Sequence, residues 1–263
     1  MPYQQPPKEE NFRFILESMA RTKGSLTSVF SDFASITACT YAMQTREEEY
    51  LATIKGYERE ELNQFAKAMA FMVNEMNDKP FIDILGPYHC EVQSKFTRDA
   101  GGEFYTPQEV GKLMAKVGLN VKDVVEAGKP ITINDPAAGS GGLILSLAEE
   151  FANAKAVDLM RVTCQDISKV GCDMAYINMT LWGIPARIIW GDTLRMTVKD
   201  QWQNIHWYRV GEPLREHVGR FKELLEVEPS KNPSTSDTSI AQTVQPDLTI
   251  HLNDAGQREW TFE

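Results

Sequence analysis

Cysteine and histidine are scarce in this chain. The four cysteines, Cys39, Cys90, Cys164 and Cys172, show no C-x-x-C spacing. This pattern supports neither a disulfide framework nor a zinc knuckle, and it favours free, buried thiols. The four histidines are scattered along the sequence and form no ligand pattern. We therefore expect no metal site.

Long hydrophobic runs and an excess of positive charge are also missing. No apolar run is long enough to span a bilayer, and residues 1–10 lack the basic start and apolar stretch of a signal peptide. A cytoplasmic protein without membrane association is therefore expected. The formal net charge is −10, whereas proteins that hold DNA by themselves usually carry a basic footprint. Any DNA contact is therefore expected to come from a local patch or through other subunits.

The length of 263 residues suits one α/β domain with a smaller helical one. Composition and periodicity predict five regions along the chain. They are a disordered start (1–10), an N-terminal helical domain (11–97), an α/β domain (98–227), a flexible Ser/Thr/Pro-rich linker (228–247) and a terminal β-hairpin (248–263).

Three helical patterns carry packing predictions. Core packing is predicted for the apolar stripe at Leu62, Phe65, Met69, Met72, Val73 and Met76. A solvated helix face is predicted for the charged run at residues 46–49. A further helix is predicted to start near Thr106-Pro107 and to direct four side chains inward: Val110, Leu113, Met114 and Val117.

A glycine-rich turn is the most informative segment of the sequence. Residues 134–142 read N-D-P-A-A-G-S-G-G; they follow a β-type run at 130–133 and precede an apolar helical stretch at 143–148. Glycines let a backbone approach a ligand closely, and a helix start offers unpaired N–H groups. The order of strand, glycine turn and helix therefore predicts a nucleotide-sized binding site.

Three acids, Asp135, Asp166 and Asp192, each follow a predicted strand. Ligands of an open parallel sheet bind beyond the carboxyl ends of its strands, so we expect the three acids to meet at one rim. The second acid is placed to accept hydrogen bonds from ribose hydroxyls, and the third from an adenine amino group. Ordinary turn residues are the alternative interpretation. Because the first acid adjoins the turn, a cationic or zwitterionic ligand such as S-adenosylmethionine is favoured over a bare phosphate.

Several motifs give the chain a resemblance to a known family. Residues 135–142 read D-P-A-A-G-S-G-G and residues 102–107 read G-E-F-Y-T-P, while Gln165-Asp166 stands where the family has Gln-Glu. Asn178 with residues 181–184 and 191–194 follows its N-x-x-L-x-G-I and G-D-T-L stretches. Over about residues 80–195 the chain resembles the adenine-N6 DNA methyltransferases, specifically the modification subunit of type I restriction-modification systems.

The resemblance implies an α/β, Rossmann-like S-adenosylmethionine-dependent methyltransferase fold with an incomplete sheet, preceded by the N-terminal helical domain. It makes residues 98–227 a methyltransferase-like domain that binds S-adenosylmethionine and takes part in DNA methylation. The cofactor-binding residues that it implies are Glu103, Phe104, Tyr105, Thr106, Pro107, Asp135, Pro136, Ala137, Gly139, Ser140, Gly141, Gly142, Asp166, Ile167, Asp192, Thr193 and Leu194.

One element of the family is missing. Its enzymes hold the flipped adenine with an N-P-P-[FY] loop after the fourth strand, and this chain contains no such tetrapeptide. The catalytic residues are therefore unassigned, and three hypotheses stand. The chain binds S-adenosylmethionine without methylating DNA alone, or it is an active site-specific DNA adenine methyltransferase with a degenerate loop around residues 204–208, or it is a non-enzymatic interaction module on a relic fold.

The chain is also short for the family fold, because only about 35 structured residues are expected between the third strand and the linker. The sheet is therefore predicted to be truncated after its third strand, and its first strand to keep an open edge, which invites association. We expect residues 203–210, the terminal hairpin or a partner protein to cover that edge.

Overall fold

The computed structural model describes residues 10–93 and 108–211, together with the backbone of two short strands, His251–Leu252 and Arg258–Glu259. The chain divides into two compact units, Met1–Arg220 and Phe221–Glu263. In the second unit the two short strands pair antiparallel, within the segment for which a hairpin is predicted. The predicted linker at 228–247 lies outside the described residues.

The N-terminal region is a set of helices around one apolar core. The helices are α1 (Phe12–Lys23), α2 (Leu26–Ala42), α3 (Glu47–Ile54), α4 (Arg59–Asp78) and α5 (Leu85–Val92), with a short 3₁₀ turn at Met43–Arg46 before α3. Capping fixes the bounds of α1: the Asn11 side chain accepts a hydrogen bond from the N–H of Phe14, and Gly24, with φ of +94°, ends the helix. The core packing predicted for the α4 stripe is confirmed, since Phe65, Met72 and Met76 are buried.

The solvated face predicted at residues 46–49 is wrong for Arg46. Glu47 and Glu48 are exposed, but Arg46 is 3% exposed. Its Nη2 donates to Asp173 Oδ1 at 2.7 Å and to Glu49 Oε1 at 2.9 Å. The sequence gives no sign of this pairing, because Asp173 lies 127 residues further along the chain.

The second part of the first unit is an α/β layer structure. It contains α6 (Gln108–Gly118), α7 (Val121–Ala127), β1 (Ile131–Asp135), α8 (Gly142–Asn153), β2 (Met160–Asp166), α9 (Lys169–Leu181), β3 (Ala186–Asp192), β4 (Thr197–Gln203) and α10 (Ile205–Arg209). The strand order is β1-β2-β3-β4, with the first three strands parallel and β4 antiparallel to β3. The predicted α/β, Rossmann-like fold with an N-terminal helical domain is confirmed, and the sheet has four strands in the part of the chain that the structure describes.

One face of the sheet packs against the helices. The register aligns Ile131 and Ile133 of β1 with Met160 and Val162 of β2, and all four lie in or against the core. Right-handed crossovers place α8 and α9 on the same face of a sheet with this strand order. Helix α9 also packs against α2, so the core continues from the N-terminal helices to the sheet.

The strand β4 corrects the expectation that the sheet ends after the third strand. Its residues 197–201 are exposed, and a mostly polar run of this kind gives no strong strand signal. Gln203 ends β4, and α10 contacts β3. Residues 203–210 therefore lie at the β3–β4 side of the sheet, and the expectation that they cover the β1 edge is wrong.

The face predicted for α6 is also wrong. Val110, Leu113, Met114 and Val117 are exposed, whereas Ala115 is buried. Gly111 faces α8, because a Cβ built on it would lie 2.7 Å from the Ser146 hydroxyl oxygen. Among the described elements, the helix packs through its small residues and leaves its large apolar residues in solvent.

Two further predictions concern the burial of the cysteine thiols and the lack of a helix that could span a membrane. Cys39, Cys164 and Cys172 are buried free thiols, as predicted, and Cys90 is half-buried. In the part of the chain that the structure describes, no helix combines the length and apolar character that a membrane crossing requires.

Candidate cofactor-binding site

The glycine turn between β1 and α8 has a backbone that requires glycine. Gly139 and Gly141 have φ of +53° and +83°, in the left-handed region that side chains disfavour. The N–H of Ala138 donates to the carbonyl oxygen of Gln165 at 3.0 Å, which ties the turn to the end of β2. The turn is therefore held in one conformation above the carboxyl ends of two strands.

Asp166, at the end of β2, connects the glycine turn to the start of α9. Its Oδ2 accepts a hydrogen bond from the N–H of Gly139 at 2.7 Å, and its Oδ1 accepts one from the N–H of Ser168 at 2.8 Å. A carboxylate offers about four acceptor positions, so two remain for a ligand. Asp166 is thus held rigidly and still has acceptor capacity for a pair of hydroxyls.

Asp135, at the end of β1, is a half-buried carboxylate next to that arrangement. Burial raises the pKa of the Asp135 carboxyl, and the charge of Asp166 raises that pKa further. The N–H of Ala137 donates to Asp135 Oδ1 at 3.2 Å and opposes the pKa rise only in part. A cationic ligand group beside Asp135 would lower the pKa of this carboxyl and so offset the effects of burial and of the Asp166 charge.

Asp192, at the end of β3, lies at the same rim. Its carboxylate accepts from the backbone N–H of Arg195 at 3.0 Å, which holds the pKa of Asp192 below its usual range. The neighbouring Thr193 hydroxyl donates to the carbonyl oxygen of Pro136 at 2.6 Å, so the β3 end is bonded to the glycine turn. The structure thus brings the ends of β1, β2 and β3 together.

The remaining predicted residues occupy distinct positions. Pro136, Ala137, Ile167 and Leu194 are exposed at this rim, so each is accessible to a ligand. The Ser140 side chain is buried and directed away, since its hydroxyl donates to Asp83. The expected cofactor residues Glu103, Phe104, Tyr105, Thr106 and Pro107 lie outside the described residues.

A buried polar network beneath the glycine turn was not predicted from the sequence. Asp83 accepts hydrogen bonds from the Ser140 hydroxyl, from Asn178 Nδ2 at 3.2 Å and from the N–H groups of Leu85 and Gly86. Asn178 Nδ2 also donates to the carbonyl oxygen of Ser140 at 2.8 Å. One carboxylate therefore joins the start of α5, the glycine turn and α9.

Residues 204–208, which were considered as a degenerate catalytic loop, have a structural role. Asn204 is fully buried and caps α10, where its Oδ1 accepts from the N–H groups of Trp207 at 3.0 Å and Ala186 at 3.1 Å. Its Nδ2 donates to the carbonyl oxygen of Ile184 at 2.8 Å. Because these bonds occupy both ends of the amide, Asn204 has no exposed acceptor for an adenine amino group.

The hydrogen-bond acceptors at the rim fit S-adenosylmethionine. Asp135 offers a poorly solvated negative charge for the cofactor's cationic end, and Asp166 offers acceptors for its ribose hydroxyls. Within residues 10–93 and 108–211, no group of three or more His, Cys, Asp or Glu side chains is arranged to hold a metal ion. The geometry suits a nucleoside ligand that carries positive charge.

Comparison with known proteins gives the site a family context. Residues 82–209, just under half of the chain, match the family model described as N-6 DNA Methylase. The chain is similar to the Type I restriction enzyme MpnII methylase subunit of Mycoplasma pneumoniae, with 28% identity over 181 residues. This match takes in 66% of the chain and 30% of that relative, so the chain spans less than a third of the relative's length.

Two solved structures are among the matches to this chain. One is a candidate class I S-adenosylmethionine-dependent methyltransferase from Listeria monocytogenes, with 14% identity, a TM-score of 0.40 and coverage of 70% of this chain and 53% of that chain. The other is a type I restriction-modification system methyltransferase subunit from Streptococcus thermophilus, with 18% identity, a TM-score of 0.35 and coverage of 70% and 57%.

Proposed function

We propose that this chain binds S-adenosylmethionine at the glycine turn and serves adenine-N6 DNA methylation in a restriction-modification assembly. The match of residues 82–209 to the family model described as N-6 DNA Methylase supports this proposal. It does not transfer the methyl group to DNA by itself. We also propose that the chain is located in the cytoplasm.

The observation that carries the proposal is the paired arrangement of Asp135 and Asp166 at the glycine turn. The N–H of Gly139 fixes Asp166, and the charge of Asp166 raises the pKa of the neighbouring Asp135. When bound, S-adenosylmethionine supplies an activated methyl group. Asp135 would hold its cationic amino acid end, and Asp166 would accept hydrogen bonds from its ribose.

The other expected residues complete the site. Asp192 would accept from the adenine amino group, and the exposed apolar side chains of Ile167 and Leu194 would contact the adenine ring. Glu103 to Pro107 would cover the methionine end, as the resemblance implies. Pro136, Ala137, Gly139, Gly141 and Gly142 would contribute backbone, and Thr193 would hold the turn through Pro136.

Catalysis by this chain alone lacks support. Adenine N6 is a poor nucleophile, because its lone pair is delocalised into the ring, and family enzymes overcome this with acceptors from the N-P-P-[FY] loop. That motif is absent from the sequence, and Asn204 is committed to capping α10. We therefore propose that another subunit supplies the loop and most of the DNA contacts, which also accounts for the net charge of −10.

Calorimetric titration of the full chain with S-adenosylmethionine tests cofactor binding. Asp135→Ala is expected to weaken binding about 10- to 100-fold, as loss of a charge-assisted contact worth about 1.5–3 kcal/mol requires. The matched control is Asp158→Ala, which removes an exposed carboxylate on the turn before β2. Undiminished affinity in the Asp135 variant would contradict the assignment. A folded chain that gives no heat at millimolar cofactor would favour the interaction-module hypothesis.

Transfer of tritiated methyl groups to unmethylated DNA separates the two remaining hypotheses. We expect no incorporation above background from the purified chain. Incorporation that disappears in Asp135→Ala would instead establish an active DNA adenine methyltransferase with a divergent loop.

A further inference from the structure

Trp190 of β3 lies directly beside Asp166 in the sheet. The parallel register of β2 and β3 pairs these two residues. The indole is half-buried, and its Nε1–H donates to the carbonyl oxygen of Ile167 at 3.0 Å. Ile167 is the first residue after β2 and is 58% exposed at the rim. A side chain of β3 therefore fixes the backbone at the point where it leaves β2.

The peptide unit between Ile167 and Ser168 is hydrogen-bonded at both of its polar groups. Its carbonyl oxygen accepts from Trp190, and its N–H, which belongs to Ser168, donates to Asp166 Oδ1 at 2.8 Å. The other oxygen of Asp166 accepts from the N–H of Gly139. The orientation of this peptide therefore links the indole to the carboxylate that faces the glycine turn.

A β-bulge brings Lys199 over the indole. Trp190 and Gly191 are consecutive in β3, whereas their partners in β4 are residues 200 and 198, so Lys199 is the extra residue of β4. Bulges of this kind re-aim a side chain. Lys199 Nζ lies 4.6 Å from the centre of the Trp190 ring, in a cation–π contact. The indole is therefore held by an ammonium group over its face and by a carbonyl oxygen at its N–H.

We propose that Trp190 is a positioning residue for the nucleoside end of the cofactor site. It acts through the peptide unit between Ile167 and Ser168, which orients Asp166 for the ribose hydroxyls and sets the place of the Ile167 side chain. This inference rests on the proposed function, because it names what sets the affinity for the adenosine part of S-adenosylmethionine.

The physical reason is preorganisation. Asp166 uses two of its acceptor positions within the protein, and the remaining two are useful to a pair of hydroxyls only while the carboxylate keeps one orientation. A peptide unit that turns freely before binding has to be ordered by the ligand, and this ordering weakens affinity. The bond from Trp190 removes that freedom in the free chain.

Packing alone is the alternative role for Trp190, since its ring also lies against the core. Trp190→Phe distinguishes the two roles because it keeps an aromatic ring and removes the N–H donor. Trp182→Phe is the matched control. Trp182 follows the last residue of α9 and is also half-buried, but its indole N–H has no hydrogen-bond partner among the residues that the structure describes.

Calorimetric titration of the full chain with two ligands tests the position of the effect. The ligands are S-adenosylmethionine and methylthioadenosine, which keeps the adenosine part and lacks the amino acid end. Trp190→Phe should weaken both affinities by the same factor, about threefold to tenfold, as expected for one hydrogen bond. Asp135→Asn should weaken the affinity for S-adenosylmethionine only, and Trp182→Phe should weaken neither. Undiminished affinities in the Trp190 variant, a loss confined to S-adenosylmethionine, or an equal loss in the Trp182 variant would overturn the proposal.

Amide hydrogen exchange measures the positioning itself and needs no ligand. The amides of Ser168 and Gly139 both donate to Asp166, so both should exchange about threefold to tenfold faster in Trp190→Phe. The ladder amides between β1 and β2 should keep their rates. Equal acceleration of the ladder would indicate a general loss of stability and would contradict a positioning role, as would unchanged exchange at Ser168.

The two measurements separate this inference from the proposed function. An unaltered chain that binds neither ligand refutes the proposed function, and the exchange rates at Ser168 and Gly139 still decide whether Trp190 orients Asp166. An unaltered chain that binds both ligands, together with a Trp190→Phe variant that binds them equally well, refutes the role of Trp190 alone.

Discussion

At the scale of single residues, the candidate site places a negative charge where the fold disfavours it. Asp135 is half-buried, and the charge of Asp166 adds to the cost of ionising it. Such groups cluster at functional sites because a ligand of opposite charge relieves the cost. Asp135 therefore exchanges stability of the free chain for affinity towards a cationic ligand.

This exchange predicts opposite effects of Asp135→Asn on stability and binding. The pKa of Asp135 is raised in the folded chain, so its favourable contribution is present below the ordinary aspartate pKa and is lost as pH rises through the folded value. Asn cannot ionise and avoids that loss. Melting temperatures between about pH 4 and pH 8 should therefore diverge with rising pH in favour of the variant, while its affinity for S-adenosylmethionine falls.

The exposed Asp158→Asn change serves as the control and should show no divergence. An Asp135→Asn variant that is less stable than the unaltered chain at neutral pH would show that the carboxylate is a structural acceptor and not a ligand-directed charge.

Residue-scale chemistry is only partly predictable from this sequence. The three rim acids are identified because each one ends a strand, and strand ends can be read from local patterns. Asp83 is not identified, because its role depends on Ser140 and Asn178, which lie 57 and 95 residues away. Contacts at such distances have no local signature in a single sequence.

At the scale of elements, the glycine turn is specified by backbone conformation. Gly141 precedes α8 with φ of +83°, and a Cβ there would lie 2.8 Å from the terminal methyl group of Met179. The methyl group can move at low cost, but the left-handed backbone is unfavourable for any L side chain by about 1–2 kcal/mol. The cost of a substitution at position 141 is therefore set by backbone strain and not by the contact with Met179.

Gly141→Ala should consequently lower the free energy of unfolding by about 1–2 kcal/mol, measured by urea denaturation. Gly141→Asn should cost less, because asparagine tolerates the left-handed region better. Gly118→Ala is the matched control: it lies at the end of α6 with open space around it, so it should be neutral or slightly stabilising. Equal losses at positions 141 and 118 would refute the role of φ.

The sequence predicts where a helix lies better than it predicts which face of that helix is buried. The periodicity of α6 identifies a helix, yet its large apolar residues face solvent while its small ones face α8. Periodicity shows which residues share a side, and only the presence of a neighbour decides whether that side is buried. Strand β4 escapes prediction for a related reason, since an exposed edge strand needs no apolar alternation.

At the scale of the whole molecule, a buried ion network joins the N-terminal helices to the α/β part. Arg46 and Asp173 have side chains that are each 1% exposed, and their atoms approach to 2.7 Å. Lys169 lies 2.8 Å from Asp173, and the Arg46 guanidinium packs 4.2 Å from the centre of the Trp202 ring in β4. The network thus connects the end of the 3₁₀ turn with α9 and β4.

This connection predicts a large effect of Arg46→Met on global stability. Breaking a buried ion pair leaves an uncompensated charge and typically costs 3–5 kcal/mol; because Lys169 remains beside Asp173, we expect about 3 kcal/mol in urea denaturation. Arg13→Met, which breaks the partly exposed pair with Glu75, should cost less than about 1 kcal/mol.

The double variant Arg46→Met/Asp173→Leu distinguishes a lost charge partner from lost packing. If the single variant is unstable because Asp173 keeps a buried charge without its main partner, removing that carboxylate should recover most of the loss. If Arg46 acts mainly by packing over Trp202, the double variant should remain as unstable as the single one. Recovery would mean that the loss in the single variant comes from the unpaired charge of Asp173, since apolar residues in the same positions would hold the helices and the sheet together equally well.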